Sequence, residues 1–417
     1  MNTITLPDEF VLPAYDGGSI ANVPATAAAM LGVPFDGLSP LRGEAWRPLG
    51  SDVQRVVVLL VDAFGWNLLR RVEDDLEWLF ERAIVRQKLT SVFPSTTVAA
   101  LSSLWTGAAP AQHGFVGFRL FLPRQAVLSQ MIHFTPVFAR FPDALVEAGL
   151  EPGAFLRAPG AAEQLAAAGV PTYSFKSYTF ADSTLSQMHG RGVRKTFGIV
   201  TAADMYAQLR RLLEETAGQP LFAVAYWDAV DSLSHRYSFD HPSVAAELRS
   251  VLTLLRTELW QPLSPDARAG TALFIAGDHG QIPTPSSQAL YLADHPELEK
   301  MLLMRPAGEP RTLYLYARQG RQEDVVYYFR ERLDDSVVAL SATAALDAGL
   351  FGPPPHAPET ARRLGDVVAL MRGRHVLLDP AEAESVRKMR GRHGGLTAGE
   401  MEIPWLGFRL DSTPHFR

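Results

Sequence analysis

Three short apolar runs in this chain each lead into residue types that ligate metal ions. Val56–Val61 is followed by Asp62, Leu221–Tyr226 by Asp231 and His235, and Thr271–Ala276 by Asp278-His279-Gly280. Runs of six mostly aliphatic residues read as strands buried on both faces, the signature of a parallel sheet. Strands of an open α/β sheet present their carboxyl ends at one edge, which is where such sheets bind ligands. The pattern therefore predicts carboxylates and imidazoles gathered along one edge of a buried sheet.

Composition narrows the chemistry that such an edge can perform. The net charge of −6 offers no basic field to a nucleic-acid polymer or a membrane surface. An anionic substrate must then be met locally, by metal ions or single arginines. Cysteine is absent, which excludes disulfides, thiolate zinc sites and cysteine nucleophiles. Met1–Glu9 carries neither a basic start nor an apolar h-region. No apolar stretch approaches the ~20 residues needed to span a bilayer. A cytoplasmic enzyme is the expectation.

Length allows two or three domains, or one large α/β domain with a smaller insertion. Residues 1–48 are rich in Pro and Gly, with one weak helical stretch at Ala25–Leu31, and read as an arm over the body. A core over 49–284 follows, with strands expected at 56–61, 83–89, 221–226 and 271–276. Helices are expected at 64–73, 98–104, 143–148, 161–168, 202–216 and 242–258. This alternation predicts a mostly parallel sheet with helices on both faces. The rhythm changes over 285–365, where helix, strand, helix and a Pro-rich loop suggest a small inserted α+β cap. Gly365–Met371 is expected to return to the main sheet, making 366–417 the core return.

Asp231 and His235 are four residues apart, so a helix would place both on one face, as two ligands of one ion require. Asp278-His279 at a strand end would aim two more at a second ion. Carboxylate with imidazole suits Zn²⁺ and accepts Mn²⁺. Each motif alone is weak, since Asp-x-x-x-His is commonly a solvated helix face and Asp-His-Gly commonly a turn.

Order and spacing together are more specific. The chain resembles the alkaline phosphatase superfamily and, within it, the nucleotide pyrophosphatase/phosphodiesterase branch. The resemblance rests on Asp62-Ala63 after a strand, Thr106-Gly-Ala-Ala-Pro-Ala-Gln-His113-Gly114, Asp231 with His235, Asp278-His279-Gly280, and His393-Gly394. It covers roughly 55–115, 220–282 and 365–405. Nine residues before Thr106 lies Thr97, which the resemblance favours as nucleophile over its neighbours Ser95 and Thr96. It further implies two divalent ions, one held by Asp231, His235 and His393. The other would be held by Asp62, Asp278, His279 and the Thr97 oxygen. The substrate would be a small phosphorylated molecule.

Departures from the family pattern limit the substrate reading. Thr97-Val-Ala-Ala100 lacks the asparagine that nucleotide pyrophosphatases carry nearby. A phosphomonoesterase, phosphonate hydrolase or phosphomutase is the alternative within the superfamily. A non-catalytic binding module is disfavoured by the intact set of seven positions. His113 is expected to pack or hydrogen-bond beneath the site, and Asp228 is set aside in favour of Asp231. Lys176, His189, Arg191 and Arg194 flank a Ser/Thr-rich stretch, Phe175–Met188, that could line a substrate pocket, with a surface loop as the first reading of each. Tyr226 and Trp227, beside the metal motif, could stack on a base or sugar, with core packing as the first reading of either.

Overall fold

A computed structural model describes residues 6–379 and 384–412. Its main sheet has seven strands, in the order 85–90, 402–409, 271–276, 55–61, 221–227, 172–177 and 193–199. Arg55–Val61 lies at the centre and pairs in parallel with both neighbours, Val61 opposite Trp227 and Leu60 opposite Ala276. The three apolar runs thus end at the same edge. Glu402–Arg409 runs against its neighbours on both sides. The fold is the mostly parallel α/β architecture expected.

Alternation along each strand divides the core into two layers. Val57, Leu59 and Val61, with Leu221, Ala223 and Ala225, face the helices Trp66–Val72, Ala202–Glu215 and Pro242–Leu254. Val56, Val58 and Leu60, with Phe222, Val224 and Tyr226, face the helices Val23–Met30 and Thr97–Thr106. Each fully buried valine or leucine contributes roughly 1.5–3 kcal/mol, so the central strands must be apolar on both faces. The N-terminal segment is part of this second layer. Ile20, Ala21 and Ala28 are fully buried, and Asn22 ties the arm together by donating to the Tyr15 and Ser39 carbonyls.

A second seven-stranded sheet is antiparallel throughout, in the order 337–341, 367–371, 312–315, 307–309, 119–122, 127–130 and 135–136. Two of its features correct the sequence reading. Val367–Met371 does not return to the main sheet; it pairs with Thr312–Leu315 and Val337–Ser341. A run of apolar residues specifies a buried strand without specifying the partner, and the nearest antiparallel neighbours capture this one. The return to the main sheet comes later, at Glu402–Arg409. The second sheet also recruits 119–136, a segment between the threonine turn and the next helix of the core. Among the described residues, no helix is long and apolar enough to cross a membrane.

Candidate functional site

The turn after Val61 brings the first ligand candidate to the sheet edge. Ala63 takes a left-handed conformation (φ 59°), and its N–H donates to Asp278 Oδ1 at 3.1 Å. The His279 N–H donates to the same oxygen at 2.9 Å. Asp278 is therefore anchored through Oδ1, while Oδ2 has no hydrogen-bond partner among the described residues. Asp62 is arranged likewise: Tyr226 donates its hydroxyl to Oδ2, and the buried Oδ1 has no hydrogen bond. Both free oxygens point at His279 Nε2, Asp62 Oδ1 from 3.3 Å and Asp278 Oδ2 from 3.5 Å. Thr97 Oγ1 lies 3.1 Å from that same nitrogen.

Asp231 and His235 sit on the helix Ala229–Tyr237, one turn apart, with Asp231 Oδ2 3.3 Å from His235 Nε2. His393 reaches them from the far end of the chain, 3.7 Å from Asp231 Oδ1 and 3.3 Å from His235 Nε2. Its ring stacks on His279, with centroids 3.8 Å apart. That stack joins two triplets, Asp62-Asp278-His279 and Asp231-His235-His393, the first fully buried and the second half-buried. All seven sequence candidates are thus brought together at one edge of the sheet.

The donor set fits two divalent cations. Each imidazole commits its Nδ1–H to a backbone carbonyl: His235 to Gly391 (2.8 Å), His279 to Gly280 (3.0 Å) and His393 to Ser95 (2.9 Å). Since a carbonyl only accepts, Nδ1 holds the proton and all three Nε2 lone pairs face inward, as metal-binding histidines are held. Burial first, and then the Asp278 and Asp231 charges, push the Asp62 carboxyl well above the usual range. Burial likewise raises Asp278. His393 is held well below the ordinary imidazole value, by burial first and then by the other two histidines. Converging lone pairs and unpartnered buried carboxylates repel unless positive charge lies among them.

Several supporting residues escaped the sequence reading. Gln281 donates to Asp231 Oδ1 at 2.6 Å, and Ser91 Oγ holds the Asp278 carbonyl at 2.6 Å. Ser95, weighed as an alternative nucleophile, spends its hydroxyl on the Gly395 carbonyl (2.7 Å) and its carbonyl on His393. Tyr226 reaches Asp62 as well as packing in the core. His113 lies in the core, bonded to Ser103 Oγ at 3.0 Å. Asp228 belongs to neither triplet. The surface-loop reading of 175–188 fails at its ends. Lys176 ends in the core of strand Thr172–Ser177, and His189 closes a buried helix, because the main sheet continues past Leu221–Trp227 on that side. Arg191 and Arg194 are part-exposed and exposed. A cavity of about 900 Å³ opens in front of Thr97, lined also by Asp62, Asp228 and Asp231 and by Leu101, Trp105 and Lys176.

Behind Thr96, Glu309 of the second sheet is buried, and burial pushes its carboxyl up to about 8 against the pull of the Thr96 hydroxyl. An acid raised in this way keeps its proton in the fold while the unfolded chain gives it up. Stability then falls as pH rises from the ordinary value of 4.5 through about 8. Glu309→Gln removes the titration. Its melting temperature is expected to gain on the parent progressively between those two pH values in thermal melts. A constant offset across that range would contradict the assignment.

Comparison with known proteins accords with this geometry. The family model for type I phosphodiesterase / nucleotide pyrophosphatase matches residues 56–396. No curated protein matches. Among solved structures, an inactive form of murine ectonucleotide pyrophosphatase/phosphodiesterase 5 in complex with AMP superposes with a TM-score of 0.61 at 17% identity, covering 85% of this chain and 88% of that one. Phosphonoacetate hydrolase from Sinorhizobium meliloti 1021, in complex with phosphonoformate, gives 0.62 at 18% identity, covering 88% and 92%. At such identities these two structures speak for the fold, while the family match spans most of the chain. The chain belongs to the type I phosphodiesterase / nucleotide pyrophosphatase family of the alkaline phosphatase superfamily and is a phosphoester hydrolase.

Proposed function

We propose that this protein cleaves a phosphodiester or pyrophosphate bond with Thr97 as covalent nucleophile. The observation that carries the reading is the position of the Thr97 hydroxyl. It lies 3.1 Å from His279 Nε2, on the first residue of a helix and on the wall of the cavity. Asp231, His235 and His393 would hold one divalent cation, and Asp62, Asp278, His279 and the Thr97 oxygen the other. Zn²⁺ is the preferred ion on the donor chemistry, with Mn²⁺ accepted. Cations so held lower the pKa of a coordinated hydroxyl and neutralise charge on phosphoryl oxygens.

The chain's own residues divide the remaining work. Thr97 Oγ1 bonds to phosphorus as the bond to the leaving oxygen breaks, its proton passing to bulk water. The first N–H groups of the helix Thr97–Thr106 have no intrahelical acceptor and would serve as donors to phosphoryl oxygens bound at Thr97. Water then displaces Thr97 from phosphorus, and two inversions give net retention. Ser95 and Gln281 keep His393 and Asp231 in place through both steps.

A cavity of about 900 Å³ has room for a second ester arm, which favours a diester over a compact monoester. The test compares bis(p-nitrophenyl) phosphate with p-nitrophenyl phosphate on the Zn²⁺- or Mn²⁺-loaded protein. The diester is expected to turn over with the higher kcat/KM. A large preference for the monoester would replace this reading with a phosphomonoesterase.

A further inference from the structure

We infer that Lys176 and Ser174 form a second anion-binding subsite at the far end of the cavity, receiving a carboxylate or phosphate at the distal end of the substrate. The inference rests on the proposed reaction at Thr97 for its direction, since it assigns the opposite end of the same molecule. Both residues lie on the strand Thr172–Ser177, two apart and so on one face, and both line the cavity. Lys176 is buried, yet among the described residues its ammonium has one acceptor, Ser186 Oγ at 3.3 Å. An ammonium carries three donors, so two remain for a ligand. Ser174 Oγ is buried with no hydrogen-bond partner among the described residues.

Charges around the ammonium leave it available. Burial alone depresses Lys176, to about 8, so it remains mostly protonated at neutral pH. His189 sits close by and is kept neutral by burial and by the Lys176 charge, its Nε2 paired with Ser102 Oγ at 2.9 Å. Asp143 accepts the Thr184 N–H at 3.3 Å, and Asp182 stands exposed at the rim. Neither forms an ion pair with Lys176 among the described residues. The cavity wall thus carries Asp62, Asp228 and Asp231 with Thr97, and His133, Arg140, Asp143 and Asp182 besides, while the Lys176 ammonium has no carboxylate partner among the described residues.

Helix geometry gives the scale of the separation. Lys176 Nζ lies 5.7 Å from the Trp105 ring centre. Trp105 is eight residues beyond Thr97, or roughly 12 Å along the helix at 1.5 Å per residue. Thr97, Leu101 and Trp105 share one face and line the cavity between the two ends. The ligand class is thus an elongated molecule with a reacting phosphoryl group, an apolar middle and a terminal anion.

The test is calorimetric binding of 8-phosphonooctanoate and its terminal amide to the cation-loaded protein. The acid is expected to bind ~10-fold or more tightly than the amide, as for other charge-assisted contacts. Lys176→Met should equalise the two, with a folded melt as control. The short pair 3-phosphonopropionate and its amide should show no such preference, because neither reaches Lys176. Equal affinity of the long pair for the parent protein overturns the inference, as does a preference that survives Lys176→Met or one shared by the short pair. Binding is read without turnover, so failure to hydrolyse bis(p-nitrophenyl) phosphate would count against the proposed reaction and leave this comparison intact.

Discussion

Thr97→Ala is expected to lower kcat on bis(p-nitrophenyl) phosphate by roughly three orders of magnitude or more, as deletion of a covalent nucleophile does. Two neighbouring hydroxyls stand beside it, and neither can substitute. Ser95 Oγ is buried and bonded to the Gly395 carbonyl, and the Thr96 hydroxyl turns back to Glu309. The change should leave the fold alone. Thr97 is half-buried on the cavity wall, Thr96 still starts the helix, and alanine is a better helix former than threonine. Cation content, measured by elemental analysis, should stay near the parent's, because Asp62, Asp278 and His279 remain. Thr97→Ser should recover much of the rate, since it keeps the oxygen and loses only a methyl group. A Thr97→Ala protein within tenfold of the parent would sink the covalent step and point to direct attack by water.

What the sequence made legible follows from how each residue is placed. Asp62, Asp278 and His279 lie just beyond runs that had to be central strands, so the topology carried them to one edge. Asp231 and His235 declared themselves by helical spacing. His393 has no such signature. It lies in a glycine-rich turn between a two-residue strand and the loop braced by Glu400, and only the family pattern singled it out. Glu400 in turn is clamped by Arg311, with bonds of 2.9 and 2.8 Å, in a fully buried pair that ties the second sheet to the segment carrying His393. Nothing local in either residue announces a partner 89 positions away. The second sheet was obscure for the same reason. Its strand Arg119–Leu122 meets Ala307–Glu309 through one register pair, Gly308 with Arg119, across almost half the chain. Lys176 misled because its polar neighbours look like loop, whereas tertiary contact with Leu221–Trp227 makes the segment a strand.

Removing the cations should destabilise the protein and empty the two triplets independently. Without positive charge among them, three inward lone pairs and two buried carboxyls are left unpartnered or must take up protons, which forfeits the stabilisation that bound cations supply. Exhaustive chelation is therefore expected to lower the melting temperature by roughly 5–10 °C relative to protein held at cation levels far above Kd. Added Zn²⁺ or Mn²⁺ should restore both melting temperature and turnover. His235→Ala separates the sites. It removes one donor from the half-buried triplet and leaves Asp62, Asp278 and His279 with every hydrogen bond they now make. Elemental analysis should then fall from two cations per chain to about one, with kcat/KM down by ~100-fold, a loss typical of damaged metal sites. Retention of both cations would remove His235 from the ligand set. Loss of both would mean that the His279–His393 stack couples the triplets so tightly that neither fills alone.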